Sequence, residues 1–91
     1  MSKQIDLTPS QREAIRSQIL QQLDNNQITL GEAVAQFRKQ LTNLTQTQYA
    51  SLIKISRRSL QQIETDTGNP SLQTISKVLK PMGMKMGIKL K

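Results

Sequence analysis

Ile15, Ile19 and Leu23 recur four residues apart, with Leu20 beside them, just behind the stretch Thr8-Pro9-Ser10-Gln11. Apolar residues at that spacing fall on one stripe of an α-helix. Thr8 suits an N-cap, Pro9 the first helical position and Gln11 the return bond of a capping box. A helix is therefore predicted over about 9–24, with Asn25-Asn26 as its stop. The same signature returns at Thr29 with Glu32, followed by Leu30, Ala33, Val34, Phe37 and Leu41 at helical spacing up to Asn43. Thr45 with Gln48 opens a third, short helix whose inward positions are Tyr49, Ala50 and Ile53. Ser56 caps a fourth, in which Leu60 and Ile63 point inward while Arg57, Arg58, Gln61 and Gln62 point out. Residues 65–70 (TDTGNP) read as a loop, and Ser71 caps a last helix carrying Leu72, Ile75, Val78 and Leu79 that Pro81 ends.

Past Gly83 the period changes to two. Met84, Met86, Ile88 and Leu90 alternate with Lys85, Gly87, Lys89 and Lys91, which predicts a half-buried strand with a basic outer face. A lone strand leaves its backbone groups unpaired and needs a second one. Two partners fit: the weakly alternating segment 3–7, or the same strand of a second copy about a two-fold axis. The second is preferred, with Met84, Met86, Ile88 and Leu90 as the dimer interface.

Composition narrows the chemistry. The 91 residues include no Cys, His or Trp, and aromatics amount to 2%, so the core has to be aliphatic. Thiolate nucleophiles, imidazole acid–base catalysis, the usual zinc sites and disulfides are excluded. No enzyme activity, cofactor or metal is expected. No apolar run approaches the ~18 residues of a membrane span, and the polar start lacks the apolar segment of a signal peptide, so a soluble, cytoplasmic protein is expected. The net charge of +7 is unevenly placed. Residues 1–45 hold five basic and four acidic side chains, whereas 46–91 hold eight and two. A polyanion partner suits the second half, because Lys and Arg gain affinity by displacing counterions from phosphates.

The order of segments over 44–79 decides what that polyanion is. A short capped helix with the small inward residue Ala50 runs into a tight turn and a second capped helix, the spacing of a helix-turn-helix that lays its second helix in the major groove. Thr45, Gln46, Ala50, Ser56, Leu60, Ile63 and Glu64 meet the pattern of the Cro/C1-type (Xre-like) repressor family, and the stretch of about 29–81 resembles that family. The turn position that the family usually fills with Gly is Lys54 here, which puts a non-Gly residue at positive φ at a cost of about 1 kcal/mol.

The resemblance implies an all-α, lambda-repressor-like helix-turn-helix bundle, here with an extra N-terminal helix and the short C-terminal strand. It implies base contacts by Arg57, Arg58 and Gln62, consistent with the bidentate preferences of Arg for guanine and Gln for adenine. It implies phosphate contacts by Gln46, which also braces the recognition helix, and by Asn69. Ser56 and Ser59, at a helix start, suit phosphate oxygens, and Lys54 can reach one. Glu64 is a structural residue in the family, pairing within the domain. The tail LKPMGMKMGIKLK resembles the strand that completes HipB-type antitoxins. Three segments are thus expected: a helical extension over 1–27, the DNA-binding domain over 28–81 and a dimerisation strand over 82–91. The expected function is a homodimeric repressor on a palindromic operator in double-stranded DNA, autoregulating as a HipB-like antitoxin. The alternative is a toxin-neutralising interaction module with DNA binding secondary, its partner a kinase-like toxin. The N-terminal helix could cover the core, extend the dimer or dock such a partner.

Overall fold

A computed structural model describes residues 6–87, and it is helical throughout. Helix α1 spans Pro9–Asp24, α2 Leu30–Phe37, α3 Gln46–Ile53, α4 Arg57–Glu64 and α5 Leu72–Leu79. Each begins at the cap read from the sequence. Thr8, Thr29 and Thr45 accept the N3 backbone amide while the N3 side chain accepts their own N–H, so three capping boxes close in full. Ser56 and Ser71 accept from Ser59 and Thr74 in the same way, without the return bond.

Helix ends are made by left-handed residues. Asn26, Asn43, Lys54 and Asp66 all have φ between 56° and 62°. Asn43 ends a π-helical segment, Arg38–Thr42, that continues α2 in a wider coil. Lys54 ends α3 at φ 62°, as the turn of a helix-turn-helix requires. After α5 a 3₁₀ turn, Lys80–Met82, contains Pro81 and closes on Gly83 at φ 77°.

The core is a single cluster in which Ala33, Val34, Phe37 and Leu41 meet Tyr49, Ala50, Leu60, Ile63, Val78 and Leu79. Ile19 of α1 belongs to the same cluster at 2% exposure. α1 packs across α2 and the π segment, with Ile15 and Leu23 partly buried against the core. Two of its arginines reach over to the rest of the chain: Arg12 donates to the Leu41 carbonyl (3.3 Å) and Arg16 to that of Met82 (3.4 Å). Of the roles open for this helix, covering the core is the one these contacts describe.

The predicted C-terminal strand is not formed where the chain is described. Residues 84–87 are irregular, and no strand occurs among the described residues. The Met84 amide instead donates to the Leu79 carbonyl (3.1 Å), closing the end of α5, and its side chain packs on the core of its own chain. A strand without a pairing edge has nothing to satisfy its backbone. Ile88 and Leu90, the outer half of the expected dimer interface, lie outside the described residues, as does most of the segment 3–7.

Candidate nucleic-acid interface

The α3–turn–α4 unit is held from behind by one buried carboxylate. Glu64, at the C-terminal end of α4, accepts from Arg38 Nε (2.7 Å) and Nη2 (2.9 Å). The two side chains are only 7% and 4% exposed. The remaining reach of Arg38 goes to the Leu44 carbonyl (2.7 Å), and Gln46 Nε2 donates to Glu64 Oε1 (2.9 Å). The π segment, the start of α3 and the end of α4 thus meet on one ion pair. A buried pair of this kind is worth keeping only when its remaining donors and acceptors are satisfied, and here they are.

A second tie fixes the same end of α4. Asp66, in the left-handed conformation just beyond it, accepts from the Gly31 amide (2.9 Å) and the Thr29 hydroxyl (2.5 Å) at the start of α2. The backbones come so close that a Cβ on Gly31 would stand 2.4 Å from the Ile63 carbonyl oxygen. Tyr49 anchors α3 from below. Its hydroxyl donates to the Val78 carbonyl (2.6 Å), and burial pushes its pKa up to about 12.

What remains free is the outer start of α4. Arg57 and Arg58 are exposed and form no hydrogen bond or ion pair among the described residues. Two guanidiniums thus stand clear on the first turn of a helix fixed at its far end, beside a left-handed turn. A profile of the helix-turn-helix family matches residues 34–88, more than half of the chain. The chain belongs to the helix-turn-helix family. No curated protein and no solved structure matches it significantly.

As a helix-turn-helix protein of the Cro/C1 (Xre-like) type, it is a DNA-binding transcription regulator. Among the described residues no helix is long and apolar enough to cross a membrane.

The residues singled out from the sequence fall into three groups in this helix-turn-helix. Arg57, Arg58, Ser56 and Lys54 stand exposed at the turn and the start of α4. Ser59 is half-buried, and its hydroxyl receives a hydrogen bond from that of Ser56 (2.8 Å). Gln46 is half-buried with its amide committed to Glu64. Gln62 is half-buried too: the Gly68 backbone packs on it so closely that a Cβ there would stand 2.8 Å from Gln62 Oε1. The exposed member of the Gln61-Gln62 pair is Gln61. Asn69 sits apart, exposed in the loop before α5. Arg38 and Asp66 carry functional placement without a local signal in the sequence. Arg38 was one basic residue among many, and only the need of Glu64 for a cation could have pointed to it. Asp66 read as loop composition, and nothing local marks it as the cap of a distant helix.

Proposed function

We propose that the protein is a repressor that binds a palindromic operator as a homodimer and acts by occupying the promoter. The observation that carries this reading is the pair Arg57 and Arg58, unpartnered on the first turn of a rigidly held helix. Each guanidinium offers the two-pronged donor that matches guanine O6 and N7. Gln62, one turn further along, reads a third position after its amide leaves Gly68. Lys54, Ser56, Ser59, Gln46 and Asn69 contact the backbone on either side. For Gln46 one N–H of the carboxamide is spent on Glu64, and the second, with the amides at the start of α3, is the donor offered to a phosphate.

Two copies should read half-sites about one turn, 10–10.5 bp, apart. Dimerisation is assigned to the tail, through the exposed Met86 together with Ile88 and Leu90, since Met84 is taken up by its own core. Binding-site selection with the purified protein, followed by gel shifts, tests the proposal. Arg57→Ala and Arg58→Ala should each cost roughly 1–3 kcal/mol and relax preference at one position. Loss of neither affinity nor preference in both variants would remove the assignment. An antitoxin role remains within the proposal through its genomic setting, where a toxin gene is expected next door. The N-terminal helix lends that role only Leu20, which is exposed, since Ile15, Ile19 and Leu23 are spent on the core of its own chain.

A further inference from the structure

We infer that the face between α1, the C-terminal end of α3 and the turn after α5 is a docking surface for an acidic, amphipathic segment of a partner protein. Two clefts of about 440 and 420 Å³ adjoin there, and Leu52 and Pro81 line both. Leu52 is 58% exposed, although the other apolar residues of α3, Tyr49, Ala50 and Ile53, are buried. Cations stand on both sides of this ridge, with Arg12 and Arg16 lining the first cleft and Lys54, Lys77 and Lys80 the second. No carboxylate lines either cleft. The three lysines have no acidic partner among the described residues. Arg16 meets one acid, Glu13 of its own helix at 3.5 Å.

The chemistry of the surface selects its occupant. A run of phosphates would satisfy the cations and leave Leu52 and Pro81 in water. A purely apolar ligand would cover the ridge and leave five charges to desolvate. A helix with leucines on one face and carboxylates flanking them meets both demands: the apolar centre supplies affinity and the charged rim supplies rate and orientation. Arg57 and Arg58 line neither cleft. The surface therefore lies beside the Arg57–Arg58 end of α4 and shares only Lys54 with the residues assigned to DNA.

The test is an NMR titration of the isotope-labelled full chain with a synthetic amphipathic Glu/Leu helix. Polyglutamate of equal charge and a DNA duplex serve as parallel titrants. The expected result is a Kd below about 1 mM, with shifts at Arg12, Leu52, Lys77 and Lys80. Leu52→Ala should weaken peptide binding about tenfold and Lys77→Glu/Lys80→Glu at least as much, with melting temperatures unchanged because all three side chains are exposed. No saturable shift up to about 1 mM peptide would overturn the inference. So would equal binding of polyglutamate with no response to Leu52→Ala, which would make the face merely cationic. A duplex that shifts these residues, and loses affinity in the double lysine variant while the peptide does not bind, would give the face to DNA instead.

Discussion

Arg38 and Glu64 hold the helix-turn-helix from a place where neither could survive alone. Truncating Arg38 to Met leaves a buried carboxylate with only Gln46 for company, and should cost about 3–5 kcal/mol in chemical denaturation. Replacing both partners, as in Arg38→Met/Glu64→Leu, should recover most of that loss. Lys54 bears a different burden. Its left-handed backbone, φ 62°, costs a side-chain residue about 1–2 kcal/mol that glycine avoids, less what glycine loses in chain entropy. Lys54→Gly should therefore raise stability by up to about 1 kcal/mol in thermal melts while lowering the salt slope of DNA binding by about one. Tyr49 sets an alkaline limit. An exposed phenol ionises near pH 10, whereas this one keeps its proton to about 12. Between those values the unfolded chain releases a proton that the folded one retains, so stability is full below pH 10 and falls by roughly 2 kcal/mol as pH rises to 12. Tyr49→Phe should be less stable at neutral pH and lack this added decline. The positive φ of Lys54 was readable from its place in the motif, because it follows from backbone geometry. The partner of Glu64 was not, because a contact across 26 residues leaves no local trace.

Among the elements, α4 is the one whose placement matters, and it is fixed by α2 as well as by the π segment and α3. The start of α2 comes within backbone distance of the end of α4 at Gly31, and the two nearest atoms a Cβ would meet there are the carbonyl oxygens of Ile63 and Glu64, which cannot rotate aside. Gly31→Ala should push the two helices apart, costing about 1–3 kcal/mol of stability and reducing operator affinity more than its salt dependence. α1 is secured through Ile19, so Ile19→Ala should cost about 2–5 kcal/mol, a loss that a freely dangling helix would not show. Every helix start was evident in the sequence, because a cap is a bond between residues three apart. The tail was less so. The period of two after Gly83 records which residues alternate, but a strand also needs a neighbour, and Met84 found its contacts on α5 and the core instead. The π segment was invisible for a related reason: its apolar spacing is close to that of the α-helix it continues.

Taken whole, the molecule is a flat body of 41 × 34 × 19 Å with a charge of +7, most of it carried by the second half of the sequence. Paired on an operator, two such bodies should lose affinity by orders of magnitude between about 50 and 200 mM salt, and a flat response in gel shifts would contradict phosphate binding. The scaffold behind this charge is almost without aromatic residues. One tyrosine and one phenylalanine serve the whole chain, with no tryptophan. Nearly all of its ultraviolet emission must therefore come from the ring of Tyr49, fully buried and bonded to Val78 where α3 meets α5. None of the residues assigned to DNA, nor Leu52, would contribute light of its own. The protein thus carries a single internal lamp at the joint that seats its helix-turn-helix, and changes in its intensity or lifetime register the state of that joint alone.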